Sequence, residues 1–330
     1  MAPDDDDDDD WMVPPEAQPQ PEDYSFDLDH ALGAIVALTS RVPADASTAE
    51  ALGMERGGNG VVLGIQNLVL TIGYLVVEAN EIWLTTGKGR VVPAHVVGYD
   101  FATGFGLVQA QEALDCPALP IGDSRQARPG SRVVLAGCGG RSGALAAHIV
   151  ARQPFAGYWE YMLDNAIFTA PGHPHWGGSG LIGPNGELWG IGSLQVPHQL
   201  PGEPMIPLNM IVPIESFVPI FDDLQTFGRA NRRPRPWLGL FAAEASSGGI
   251  IIIGLAGDGP ARRAGLREGD VMLAVGSQQV DRLGDFFRAV WTLGEAGVEV
   301  PLRIDREGDV FDMRVASADR YRFLKKAPLH

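Results

Sequence analysis

Gly259-Pro-Ala-Arg-Arg-Ala-Gly-Leu266, followed at once by Arg267-Glu-Gly-Asp-Val271, is the stretch on which the reading of this 330-residue chain turns. It lies inside a small unit that opens with Trp237-Leu-Gly-Leu240 and a strand over 249–254. After it come a helix over 284–293, with Phe286, Phe287, Val290 and Leu293 on one side, and strands over 298–305 and 310–315. Basic and acidic residues balance, 13 against 13 over 235–330, so net charge does not steer this unit toward a partner. A Gly-containing loop at 237–240 exposes consecutive backbone N–H groups, a nest suited to a chain-terminal carboxylate, and the strand after it offers an edge to which a peptide can add. The candidate peptide-binding residues are therefore Trp237, Leu238, Gly239, Leu240, Phe241 and Ala242. The competing reading gives Gly239 a tight turn only, with the groove empty or filled from within.

Working outward, Gly228-Arg-Ala-Asn-Arg-Arg-Pro-Arg-Pro236 is basic and Pro-containing, which marks a linker over 229–236. Before it, short β-branched runs recur between Gly, Pro and Asn, among them 34–38, 61–63, 69–72, 81–84, 91–97, 132–136, 167–170 and 188–191. About a dozen short strands without helical periodicity predict a sandwich or barrel. One helix is expected near 215–227, where Ile214, Phe217, Val218, Phe221 and Leu224 recur at helical spacing. The expected organisation is a tail over 1–30, a β domain over 31–228, the linker, the small unit over 237–318 and a tail over 319–330.

These residues carry a resemblance. The small unit resembles a PDZ domain of the kind that follows the protease in the HtrA (Deg) family, through Pro236-Trp-Leu-Gly-Leu240 and the stretch quoted first. The region before it resembles that family's trypsin-like domain. Val69-Leu-Thr71 with Val76-Val-Glu-Ala-Asn-Glu-Ile82 matches the segment around the family's catalytic His. Arg90-Val-Val-Pro-Ala-His-Val-Val-Gly-Tyr-Asp100 matches the approach to its Asp. Ala118-Leu-Pro-Ile-Gly-Asp-Ser124 with Pro129-Gly-Ser-Arg-Val-Val-Leu-Ala-Gly137 matches the start of the second barrel, and Asn185-Gly-Glu-Leu-Trp-Gly-Ile191 the strand after the nucleophile. The resemblance implies a mostly β fold: a trypsin-like double β-barrel plus a C-terminal α+β PDZ domain.

The departures fall on the chemistry. Peptide hydrolysis by this fold needs a Ser oxygen, a His to take its proton and an Asp to orient that His. The His position, counted back from Val76, holds Leu75, with Tyr74 before it; the Asp position falls on Gly104; the nucleophile falls on Gly178. A two-residue deletion makes Ser179 the nucleophile instead, in a Gly-Gly-Ser-Gly turn whose amides would supply an oxyanion hole, still without a base. Losing a triad member forfeits ~10⁴- to 10⁶-fold in rate. The expectation is a non-catalytic pseudoprotease that binds peptides or proteins as a scaffold, adaptor or assembly factor. The alternatives are a serine endopeptidase using Ser179 with an unconventional base, and a permanent subunit of a larger complex.

Residues 1–30 hold twelve acids, Asp4–Asp10 among them, and no Lys or Arg, which leaves −4 of the −16 net charge for the rest. A nearly neutral body has no basic face for nucleic acid, and no apolar run reaches the 18 residues of a membrane span. The acidic, Pro-rich start reads as a disordered arm unlike a secretory leader, so a cytoplasmic location is expected. Cys116 and Cys138 are expected as reduced thiols rather than a zinc pair. No cofactor or metal is expected: His173-Pro-His175 and His198 suggest a metal or a relocated base, but an exposed loop usually leaves such His in solvent. His95 and His148 lie in strand-like segments. Tyr158-Trp-Glu-Tyr161 is expected to line a former substrate cleft or fill a barrel mouth. The resemblance implies a homotrimer packed through Trp11, Tyr24 and Phe26, weakened by the tail's charge.

Overall fold

The computed structural model describes residues 12–198, 205–246 and 248–325, so Asp4–Asp10 and Trp11 lie outside the described residues. Strands β1 (Ile35–Arg41), β2 (Glu55–Val62), β3 (Leu68–Ile72), β4 (Glu81–Thr85), β5 (Val91–Tyr99) and β6 (Phe105–Ala110) close a barrel in the order β1-β2-β3-β6-β5-β4. A second barrel, in the order β10-β11-β12-β9-β8-β7, uses β7 (Arg132–Ala136), β8 (Ala144–Gly157), β9 (Tyr161–Ala170), β10 (Gly180–Ile182), β11 (Leu188–His198) and β12 (Ile206–Pro213). Closure pairs every strand on both sides and leaves no edge open. β4 shows why the pattern is legible: Ile82 and Leu84 are buried while Glu81 and Trp83 face out, the period of two of a pleated strand. The second interior is filled by Val133, Leu135, Ile149, Ile167, Leu181 and Ile211, each such side chain contributing roughly 1.5–3 kcal/mol by leaving water.

The helix expected over 215–227 is only partly α. Its last seven residues form α3 (Phe221–Phe227), following α1 (Leu28–Leu32) and α2 (Ala49–Leu52), while Ile214–Ser216 and Val218–Ile220 are 3₁₀ turns. Pro219 has no N–H to continue an α ladder, which divides the segment.

The N-terminal tail departs from expectation as well. Residues 12–30 are packed rather than loose. Val13 is buried and donates its N–H to Ser142 O at 2.9 Å. The Phe26 ring lies 2.8 Å from where a Cβ on Gly186 would be, and Asp29 accepts from Arg141 Nε and Nη2 at 2.8 and 2.9 Å. Composition averages over such widely spaced anchors, and the Pro residues pre-set the turns Pro15–Ala17 and Pro21–Asp23, so ordering this segment costs less entropy than its polarity suggests.

The C-terminal unit is a sheet in the order β13-β14-β15-β17-β18, built from β13 (Leu240–Glu244), β14 (Ile250–Leu255), β15 (Val271–Val275), β17 (Glu299–Arg306) and β18 (Asp309–Ala316), with β16 (Gln278–Gln279) against β15. In the opening motif, Pro260 takes the first turn of α4 (Pro260–Arg263), where its missing N–H costs nothing. Buried Asp270 accepts from the Arg267 N–H at 2.8 Å and from Arg306 at 2.6 Å, tying the turn before β15 to β17. α5 (Leu283–Thr292) buries Phe286, Phe287, Ala289 and Val290. Arg235 of the expected linker and Phe323 of the expected C-terminal tail both pack on this unit. Arg235 lies over the Trp291 ring at 4.4 Å, and Phe323 against Trp237 at 4.8 Å. Pro154–Asp164, the tip of the β8–β9 hairpin, groups with the chain from Asn231 onward rather than with the barrels.

Candidate functional site

A depression of about 650 Å³ is lined by residues of both barrels, among them Thr39, Asn59 and Tyr74 from the first and His173, Trp176 and Gly177 from the second. Residues 173–177 line it, immediately before Gly178 and Ser179, where the resemblance places the nucleophile. Gly178 has φ +76°, and a Cβ there would sit 1.9 Å from the Asn59 carbonyl oxygen and 2.7 Å from Thr71 Oγ1. No side chain fits at this position, because the backbone of β2 fills the space it would need.

Asn59 is the clasp that holds this arrangement. Its N–H donates to Gly177 O at 2.8 Å, its Nδ2 donates to His175 O at 3.0 Å, and its Oδ1 accepts from the Cys138 N–H at 2.8 Å. Its own carbonyl accepts from Thr71 Oγ1 at 2.6 Å. An Asn in mid-strand between Gly58 and Gly60 was a signal for such a role that sequence reading passed over.

Ser179 is fully buried, its Oγ donating to Trp176 O at 2.7 Å and standing 2.3 Å from the place of a Cβ on Gly192. Two of the amides proposed for an oxyanion hole are also spent: Gly178 N–H donates to Gly192 O at 2.8 Å and Ser179 N–H to Trp176 O at 3.1 Å. Donors already committed to the fold cannot receive a developing charge.

His173 is not in solvent, as expected of that loop, but buried. One ring nitrogen, Nε2, meets Gly143 O at 3.0 Å, and Nδ1 accepts from the His175 N–H at 2.9 Å. That pairing defines a neutral ring with its proton on Nε2, and burial pushes its pKa down to about 4. His175 and His198 are exposed, as are His95 on β5 and His148 on β8. Among the described residues no three His, Cys, Asp or Glu gather at metal-binding geometry.

Tyr74 lines the depression, whereas Leu75, at the counted His position, packs in the core beside Gly58. Leu75 is in the core at 2% exposure. Tyr74 Oη donates to Ser193 O at 2.8 Å and lies 2.7 Å from where a Cβ on Gly177 would be. Burial holds the phenol far above its ordinary pKa, so it stays a neutral donor. Buried Arg56 fixes the turn by donating to Tyr74 O at 2.8 Å and Val77 O at 3.0 Å. At the Asp position, Gly104 has φ +88° and its carbonyl accepts from Gly73 N–H at 2.6 Å, while Asp100 accepts from Thr103 N–H and Oγ1 at 2.8 Å each.

The peptide-binding candidates form a second constellation. Leu238, Gly239 and Leu240 direct three successive N–H groups at the carboxylate of Glu160, at 2.8, 2.8 and 3.3 Å. Gly239 carries φ +75°, which turns its neighbours' amides to one side. Glu160 is buried; desolvation pushes its pKa up to about 7, against the opposing pull of these amides and Arg320. Along the strand, Ala242 N–H donates to Tyr158 O at 2.8 Å. Thus Tyr158-Trp-Glu-Tyr161 neither lines a substrate cleft nor fills a barrel mouth. Tyr158 lies 6.0 Å from Phe241, and Met162 is buried in the apolar core with Leu240, Ile250 and Phe286.

Comparison with known proteins agrees with this layout. Residues 58–191 match the trypsin-like peptidase domain and residues 236–316 the PDZ domain. A probable periplasmic serine endoprotease DegP-like of Halomonas elongata is 27% identical over 277 residues, covering 79% of this chain and 56% of that protein. The serine endoprotease DegS of Salmonella typhimurium is 24% identical over 272 residues, covering 78% of this chain and 75% of that protein. The chain thus spans about half the length of the DegP-like relatives it matches, 53% in the Pseudomonas putida protein. Among solved structures, an HtrA-type protease AlgW with decapeptide shares the fold at TM-score 0.53 and 19% identity, over 92% of this chain and 100% of that one.

Proposed function

The chain belongs to the HtrA/Deg family, a trypsin-like peptidase domain followed by a PDZ domain, and we propose that it acts there as a pseudoprotease, a non-catalytic scaffold that binds peptide or protein partners. The observation that carries this reading is the Asn59 carbonyl standing where a nucleophile's Cβ would be, 1.9 Å from that point. Around it, Ser179 is buried and bonded to backbone, His173 has both ring nitrogens engaged, and Tyr74 is a neutral phenol. An alcohol without a base is a weak nucleophile. Nothing in this geometry favours the endopeptidase alternative through Ser179. Peptide capture is supported by the second constellation: the 238–240 loop already binds a carboxylate.

Incubation with an unfolded casein substrate and a fluorophosphonate probe should give neither cleavage nor labelling, for the wild type and Ser179→Ala alike. Labelling or cleavage that disappears in Ser179→Ala overturns the reading.

A homotrimer belongs to the same proposal. Tyr24 is half-buried and Phe26 packs on Gly186, so less of this aromatic pair is left over for packing between copies than composition implies. Light scattering at three times the monomer mass supports assembly, and a monomeric mass removes it. The proposed location is cytoplasmic, in keeping with the free thiols Cys116 and Cys138, although the DegP-like relatives are named periplasmic.

A further inference from the structure

The β8–β9 hairpin presents to the PDZ loop what a bound chain terminus would present. A carboxylate accepts from three consecutive loop amides at 2.8, 2.8 and 3.3 Å, and two residues earlier a backbone carbonyl, that of Tyr158, accepts from the β13 edge at Ala242. Strand addition with an anion at its end is the way such a groove holds a peptide. Here the anion is a side chain of the same molecule. The insertion is seated on further contacts: Met162 is buried in the unit's core, Trp159 stacks on Tyr161 at 5.5 Å, and Asp164 pairs with Arg288 on α5 at 2.9 Å. Glu160 takes the left-handed conformation, φ +59°, that turns its side chain into the nest. Leu238 and Leu240 are buried beneath it.

We propose that Tyr158–Glu160 is an internal pseudo-ligand: it latches the PDZ groove shut, and a partner's free C-terminal carboxylate binds only by displacing Glu160 from the Leu238–Leu240 amides. Two carboxylates cannot share three N–H donors, so latch and partner are mutually exclusive, and the partner's apparent affinity falls by the fraction of molecules in the open state. Displacement also frees the hairpin tip, which is continuous with two strands of the second barrel, β8 and β9. Occupancy of the groove is thereby linked to the state of a loop that the barrel domain itself supplies. This inference rests on the peptide-binding reading above and names its regulation.

The test uses the full chain as wild type, Glu160→Gln and Glu160→Ala. Gln keeps the volume of the side chain, so folding is preserved, but turns an NH₂ toward donors. The first readout needs no peptide: amide hydrogen exchange over 237–242. Exchange should quicken at least tenfold in both variants; unchanged exchange overturns the latch. The second readout is binding of a peptide pool with randomised last four residues and free carboxyl termini, against the same pool amidated. The variants should bind the free-carboxylate pool at least tenfold tighter than the wild type, and none should bind the amidated pool. Equal binding by wild type and variants overturns the latch and leaves the groove functional. Quickened exchange with no binding by any form upholds the latch and overturns the peptide-binding function.

Discussion

Placing a serine at the counted nucleophile position should damage the barrel domain rather than make it proteolytic: Gly178→Ser is expected to cost about 2–5 kcal/mol. Two effects combine. A non-Gly residue at φ +76° gives up roughly 1–2 kcal/mol. Its Cβ also meets the Asn59 carbonyl oxygen at 1.9 Å and Thr71 Oγ1 at 2.7 Å, and forcing such a clash in a packed interior costs roughly 1–3 kcal/mol. The obstructing atom belongs to the backbone of β2, so no side-chain change at 59 relieves it. For a domain of this size the melting temperature should fall by roughly 4–20 °C. The combined variant Leu75→His, Gly104→Asp, Gly178→Ser should be no more proteolytic than the wild type. A thermal melt of Gly178→Ser that coincides with the wild type, or cleavage by the combined variant, removes the steric basis of the pseudoprotease reading.

Acid should destabilise the barrel domain through His173. The ring is buried as the neutral tautomer, with Nε2 to Gly143 O and Nδ1 to the His175 N–H, and burial pushes its pKa down to about 4 from the ordinary 6.5. The unfolded chain binds a proton near pH 6.5, whereas the folded one resists until near pH 4. Stability is therefore intact above about pH 6.5 and declines as pH falls from there toward 4, with a total loss of about 3 kcal/mol. Urea unfolding at pH 7.5 and pH 4.5 reads this directly. His173→Gln is less stable at pH 7.5 because it loses packing, but it should lose about 2.5 kcal/mol less than the wild type between the two pH values. Carboxylates common to both proteins cancel in that difference. Equal losses would refute the assignment of a neutral, committed ring.

The dozen barrel strands and the small C-terminal unit were legible in the sequence because their signals are local. Alternation in β4, Pro260 at the first turn of α4, and Gly239 at positive φ each follow from the chemistry of a few adjacent residues. That Leu75, Gly104 and Gly178 stand at the three counted positions was legible for the same reason, since a motif either holds given side chains or does not. What closes the site was decided only in three dimensions. Asn59 reaches residues 175–178, more than a hundred positions along the chain, and Glu160 reaches Leu238, Gly239 and Leu240, about eighty positions along. Neither pairing leaves a trace in spacing. The choice of Tyr74 over Leu75 for the cleft, the burial of His173 and the packing of residues 12–30 are of the same kind. Local sequence sets which backbone shapes and polar groups are available; which of them meet, and which are shielded from water when they do, depends on closing both barrels and folding one hairpin tip onto the PDZ sheet.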